Sequence, residues 1–367
     1  MKIELSNNKV FYKNGTSSEE IHPFWLRERA NGEKHLDKGT QQRLFDPTSL
    51  SNNISINKAN INEKYLEIDF NDGVSFKLEI DKIALEFSKE DIVIKSIEKT
   101  KWDSGLKNIK NFQYQKDFYE SKEMHDLLVS FYKYGFVIIK NIPTSKNYIV
   151  EFANSIGSVR RTNFGEYFNV KSKPDPNDLA YTSLALAPHT DNPYRNPVPC
   201  IQLLHCIESK VSGGLSSLVD GYTVTEELKS KFPEFYEILT EVKVRFKFED
   251  KEVILENISP LIELNDDKSF KQVRFSPRLD YVPILDKEKL DLYYQARKKL
   301  SEMYNSEKYK IEFRLEPNDL IMMDNHRLLH GRTSYETKEG ERFLQGCYID
   351  FDSTEGKLRH LKRKFNL

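Results

Sequence analysis

Polar and apolar residues alternate most clearly in Tyr65-Leu66-Glu67-Ile68-Asp69-Phe70 and Val74-Ser75-Phe76-Lys77-Leu78-Glu79-Ile80, separated by Asn71-Asp72-Gly73. Alternation on both arms with an Asp-Gly turn predicts a β-hairpin. Lys9 to Tyr12 and Ile54 to Asn57 read as shorter strands. Further on the period changes. Met124, Leu127, Leu128 and Phe131 fall at helical spacing, which predicts a helix over 121–134 closed by Gly135. The compact apolar runs 136–141 and 201–207 predict strands, and 148–156 predicts a second helix closed by Gly157. Residues 224–239 read as helical with a break at Pro233, and 287–305 as a long amphipathic helix. Two strands, 319–324 and 343–350, come last, followed by a basic tail over 357–364 that reads as a solvated helix face.

Many short strands lie before and after a helical insertion, which points to a β-sandwich or jelly roll rather than a doubly wound sheet. The expected class is α+β and β-rich. Residues 1–98 read as a small β-rich domain, 99–118 as a linker with Trp102 the only large anchor early on, and 119–367 as the main domain.

Composition narrows the function classes. Lys plus Arg (56) balances Asp plus Glu (57), so no global charge argues for nucleic acid or an anionic membrane. The 23 Phe and 19 Tyr argue for a packed, folded chain. Cys200, Cys206 and Cys347 are too few for a disulfide framework, so a reducing cytoplasm is expected. The first residues contain no apolar signal segment, and no run approaches membrane-spanning length.

The chemistry centres on His189-Thr190-Asp191. In extended backbone, residues i and i+2 share a side, so an imidazole and a carboxylate one residue apart can chelate one metal ion. They would supply two of the three ligands of a 2-His-1-carboxylate triad. Such triplets are common by chance, and His35-Leu36-Asp37 is another, read as a surface accident. The candidate third ligand is His330, just before Gly331 at the end of an apolar strand. Arg342 follows, and a planar guanidinium can grip a carboxylate with two hydrogen bonds. H-x-D, a distant His and then an Arg fit a dicarboxylate co-substrate, 2-oxoglutarate, beside Fe(II). The residues alone leave alternatives open. His326 and His330, four apart, could form a zinc-type helical pair, and any of these histidines could be packed in a core. His205, inside an apolar strand, reads as a satisfied core histidine.

The strings Asp178-x-Ala-Tyr-Thr, Leu184-Ala-Leu, His189-Thr-Asp, Gln202-Leu-Leu-His-Cys, Gly213-Gly, Leu218-Val-Asp-Gly, Asp324-Asn, Leu329-His-Gly-Arg and Gly346-x-Tyr follow one another through the main domain. In order and spacing they resemble the γ-butyrobetaine and trimethyllysine dioxygenase branch of the TauD-like Fe(II)/2-oxoglutarate oxygenases. Phe24-Trp25-Leu26-Arg27 resembles that branch's small N-terminal domain. The resemblance implies a double-stranded β-helix (jelly-roll) core with flanking helices, with Fe(II) on His189, Asp191 and His330. It also implies O2 as oxidant and 2-oxoglutarate held by Arg342 with Ser216. It further implies a small quaternary ammonium substrate in an aromatic cage at Phe164, Phe168, Tyr181 and Tyr348, with Tyr194 added and Asp178 as counter-charge. Cation–π attraction is the physical basis of such a cage. A homodimer is the assembly the resemblance suggests.

Three departures stand out. The family's clustered Cys and His ligands for a structural zinc are missing, leaving only His22 and His35, so no structural zinc is expected. Phe replaces the more usual Tyr and Trp in the cage, and His326 replaces a common Trp. An Asn that helps hold the substrate's anionic end has no counterpart, and Arg274 or Arg278 is the candidate replacement.

Overall fold

The computed structural model describes residues 2–86, 92–115, 117–171 and 182–367. It divides into two compact units, Met1–Ser96 and Ile97–Leu367.

The first unit holds two three-stranded antiparallel sheets. The expected hairpin forms, with Tyr65–Phe70 paired to Ser75–Glu79. Leu66, Ile68 and Phe70 turn inward to join Val10 and Leu26 in one core. Here the alternation of the sequence becomes burial on one face of a pleated strand. The two lone histidines have structural roles. The His22 imidazole caps the Pro23–Arg27 helix, and the His35 ring meets Phe45 edge-on at 5.9 Å.

The second unit is a jelly roll of two facing sheets. One has four strands in the order Leu186–His189, Leu328–Arg332, Ser216–Asp220, Lys310–Phe313. The other has six, in the order Asn111–Gln113, Phe136–Lys140, Leu320–Asp324, Ile201–Ser209, Arg342–Ile349, Phe168–Val170. Their inner faces share one apolar cluster. Leu218, Ile311 and Leu328 of the first sheet meet Ile138, Ile321, Met323 and Leu344 of the second. Burying these aliphatic faces, at roughly 25 cal/mol per Å² of apolar area, is the dominant force joining the sheets.

Helices flank this core. Lys122–Tyr134 is capped by the Ser121 hydroxyl, which accepts from Met124 N, and ends at Gly135 with φ +82°. Pro233 separates two helices, Gly221–Lys231 and Pro233–Glu241. The basic tail is the exposed side of the Phe351–Phe365 helix.

Two expectations change. The stretch read as a linker is part of the second unit: Trp102 is buried in the inter-sheet cluster, and Asn111–Gln113 is an edge strand. The insertion between Ser216–Asp220 and Lys310–Phe313 is not only helical. It carries a three-stranded sheet of Val244–Glu249, Ile254–Ser259 and Asp280–Tyr281, and a two-stranded one of Ile262–Leu264 and Phe270–Val273. No described helix is long and apolar enough to cross a membrane.

Candidate active site

Strand pairing assembles the site. Leu186–His189 runs antiparallel to Leu328–Arg332, with His189 directly opposite His330. Cross-strand neighbours on one face lie close enough for their side chains to touch, and the two imidazoles are 4.5 Å apart between centroids. Gly331 permits the approach, since a Cβ there would sit 2.5 Å from the Leu186 carbonyl oxygen and 2.9 Å from Ser217 Oγ. Two residues past His189, Asp191 directs Oδ1 at both Nε2 atoms, 3.6 Å from each. Among the described residues, His189, Asp191 and His330 are the one group of His, Cys, Asp or Glu whose ligand atoms all lie within 4.8 Å of one another.

Asp191 is fixed from several sides. Asn325 clamps its backbone, accepting from Asp191 N at 2.8 Å and donating to its carbonyl at 3.1 Å. Its Oδ2 accepts from Gln202 Nε2 and from the Tyr348 hydroxyl, both at 2.6 Å. Burial pushes the carboxyl upward, but His330 and His189 beside it and the Tyr348 hydrogen bond outweigh this and hold it below the usual carboxylate range. Burial pulls His330 down to about 4, so near neutrality it presents the neutral imidazole that a metal requires. His189 Nδ1 faces the Ala187 carbonyl at 2.9 Å, which leaves Nε2 turned toward the cluster. Two imidazole nitrogens and one carboxylate oxygen, converging on a common point beside a cavity, match the donor set of a non-haem iron site. The chain's own geometry therefore fits that metal.

That cavity, about 120 Å³, borders His189 and Asp191. Phe164, Phe168, Tyr194 and Tyr348, all expected from the sequence, form its aromatic wall. Phe248 joins them, stacked on Tyr194 at 5.1 Å and meeting Phe164 edge-on at 5.7 Å. It comes from Val244–Glu249 in the insertion, where the alternation Val244-x-Phe246-x-Phe248 was the available signal. Asp178 and Tyr181 lie outside the described residues.

The two arginine candidates for the anionic end separate. Arg274 is buried and committed, paired with Glu263 at 3.1 Å and donating to the Pro193 and Arg195 carbonyls. Arg278 is exposed and lines the cavity, and it has no hydrogen bond or ion pair to a described residue.

Arg342 opens the Arg342–Ile349 strand and is 7% exposed. Its Nε donates to the Gly214 carbonyl at 3.2 Å, and no described carboxylate pairs with it. Gly214, at φ +61°, leaves it room, because a Cβ there would lie 2.8 Å from Arg342 Cδ and Nε. Burial, with Arg332 nearby, pulls the guanidinium down to about 10. Ser216 begins a strand of the other, four-stranded sheet, where it lies opposite Arg332.

The other histidines fall away. His326 is not on a helix with His330. It lies at a strand-connecting turn with Nε2 3.2 Å from the Val198 carbonyl, so the zinc pair does not form. His205 is fully buried as expected, neither ring nitrogen makes a hydrogen bond of good geometry among the described residues, and burial pulls it down to about 4 against the opposing effect of the Ile142 backbone. Gln202, Asn325 and Asn192 were missed as site residues. Their signal was a polar side chain within or beside an apolar strand.

A family model described as "Taurine catabolism dioxygenase TauD, TfdA family" matches residues 102–348. The chain is 33% identical to human gamma-butyrobetaine dioxygenase over 237 residues, 63% of this chain and 61% of that enzyme. It is 27% identical to Bos taurus mitochondrial trimethyllysine dioxygenase over 354 residues, 92% of this chain and 82% of that one. A putative alpha-ketoglutarate-dependent taurine dioxygenase from Burkholderia xenovorans superposes with a TM-score of 0.50 at 14% identity, over 68% of this chain and 92% of its own, which speaks to the fold.

Proposed function

The chain belongs to the taurine catabolism dioxygenase TauD, TfdA family and is a dioxygenase dependent on iron and 2-oxoglutarate, and from that premise we propose that it hydroxylates a small trimethylammonium compound. γ-Butyrobetaine, giving L-carnitine, is the first candidate. Trimethyllysine and a trimethylaminoethyl phosphonate are the rivals. One observation carries the reading: a single cavity, bordered by His189 and Asp191 of the three-residue cluster, is also lined by an aromatic wall and the exposed Arg278.

His189, Asp191 and His330 would hold the metal, two neutral imidazoles and one carboxylate. Bound there with 2-oxoglutarate, Fe(II) supplies the chemistry that places one oxygen atom of O2 in a C–H bond and the other in succinate, with release of CO2. Arg342 would receive the distal carboxylate of 2-oxoglutarate, with the Ser216 hydroxyl assisting. The rings of Phe164, Phe168, Tyr194, Phe248 and Tyr348 would receive the trimethylammonium group by cation–π attraction and exclude water around it. Arg278 would take the anionic end. A cation held at one place and an anion at another fix which carbon faces the metal, and such positioning supplies much of the rate.

The test is succinate release and product mass across a panel of trimethylammonium compounds with Fe(II) and 2-oxoglutarate. Substrate-dependent succinate that disappears in His189→Ala is the expected result. A chain that binds a betaine tightly but releases no succinate with any of them would instead be a betaine-binding protein on an oxygenase scaffold.

A further inference from the structure

The cavity wall and the metal cluster are joined by hydrogen bonds whose directions can be deduced. A carboxylate only accepts. Tyr348 must therefore donate its one proton to Asp191 Oδ2, at 2.6 Å. The Tyr348 oxygen can then only accept from Asn192, so the Asn192 amide nitrogen faces it, at 3.0 Å. That orientation turns Asn192 Oδ1 the other way, where it accepts from the Tyr194 hydroxyl at 2.6 Å. Asn192 is buried at φ +52°, a left-handed conformation that Asn adopts more readily than most residues. Gln202 Nε2 donates to the same Asp191 Oδ2, also at 2.6 Å. Oδ2 thus receives two hydrogen bonds, while Oδ1 faces the two imidazoles.

We propose that Tyr194, Asn192 and Tyr348 form a one-directional positioning chain that, with Gln202, holds Asp191 as a one-oxygen ligand. An unrestrained carboxylate can bind a metal through both oxygens and occupy an extra coordination position. Committing Oδ2 to two donors keeps that position for co-substrate and O2. Tyr194 acts on the metal only through its neighbours, from the aromatic wall of the cavity.

The test is Co(II) titration of the metal-free full chain, read by visible absorption, in wild type, Tyr194→Phe, Tyr348→Phe and the double variant. Losing a hydrogen-bond partner of a ligand weakens metal binding about 10–100-fold. Tyr348→Phe is expected near the lower end of that range, and Tyr194→Phe at a few-fold. Adding Tyr194→Phe to Tyr348→Phe should cost nothing more, because the link is already cut. Gln202→Leu with Tyr348→Phe frees Oδ2, so the Co(II) bands should weaken as the coordination number rises. Each change removes few atoms, and an unchanged melting midpoint of the metal-free chain identifies a folded variant. The proposal is overturned if Tyr194→Phe leaves Co(II) affinity and spectrum unchanged. It is equally overturned if the Tyr194→Phe effect persists undiminished without the Tyr348 hydroxyl.

Discussion

Arg327 and Arg342 are both almost completely buried, in different parts of the jelly roll, and their surroundings differ in one respect. Arg327 has its carboxylate inside the protein. Its Nε and Nη2 pair with Asp220 at 2.9 and 2.8 Å, and the remaining donors reach the Lys133 and Thr100 carbonyls at 3.0 and 2.6 Å. Arg342 has one carbonyl and no described carboxylate. A guanidinium out of water needs an anion or a set of oxygens to offset its desolvation. The Arg327 region is therefore closed and structural, while the Arg342 guanidinium, without a carboxylate partner among the described residues, suits the anion proposed for it above. Arg278, exposed and without a hydrogen bond or ion pair to a described residue, is a third case, its charge open to solvent and felt by Asp191.

The comparison predicts its largest effect at Arg327. Asp220 is fully buried, caps the Gly221–Lys231 helix and accepts from Thr223 Oγ1 at 2.7 Å. Arg327→Met would leave that carboxylate without its cation. Breaking one partner of a buried pair costs about 3–5 kcal/mol. Urea unfolding should show that loss, and Asp220→Asn in the same chain should recover part of it. A midpoint that barely moves would mean the pair is not the closed structural unit described here.

Arg342→Met should behave in the opposite way. It removes a buried charge that lacks an internal anion, so the melting midpoint without 2-oxoglutarate should hold or rise. The cost falls on the co-substrate. Hydrogen bonds to charged groups contribute about 1.5–3 kcal/mol each, so the apparent affinity for 2-oxoglutarate should drop about 10–100-fold. A 2-oxo acid without the distal carboxylate should be used equally poorly by both proteins. Unchanged affinity for 2-oxoglutarate would remove Arg342 from the co-substrate site.

The contrast also shows what sequence could and could not reveal. His189, Asp191 and His330 were legible because imidazole and carboxylate at i and i+2, with a His before Gly, are chemically narrow choices. The hairpin 65–80 and the helix after Ser121 were legible because periodicity and caps are local. The partners of Arg327 were not. Asp220 is 107 residues away, and nothing local separates a sealed arginine from an open one. Gln202, Asn192 and Asn325 escaped for the same reason, since a buried amide acquires its meaning only from what the fold places opposite it. Phe248 escaped because an alternating strand in an insertion looks like any half-wet strand. Trp102 lay in a stretch too polar to read as core, yet its indole donates to the Tyr134 carbonyl at 2.8 Å and packs between the sheets.

The smallest effect belongs to Arg278, and it tests the substrate end of the comparison. Arg274 and Arg278 are four residues apart and chemically identical, so only their surroundings distinguish them. Arg274 is occupied by Glu263, whereas Arg278 faces the cavity. Arg278→Gln should leave the melting midpoint unchanged, because an exposed, unpaired charge contributes almost nothing to folding. If Arg278 meets the substrate's anion, KM for γ-butyrobetaine should rise about two- to fivefold, the size expected of a solvent-accessible charge pair. The change should shrink as salt is added, because screening acts strongly on exposed charges. Choline binding, measured as competition against γ-butyrobetaine in each protein, supplies the control, since choline keeps the trimethylammonium group and lacks the anion. Its inhibition constant should not move. An equal loss for both ligands would mean that Arg278 shapes the cavity rather than reading the anion, and the anionic end would have to be sought elsewhere on the wall.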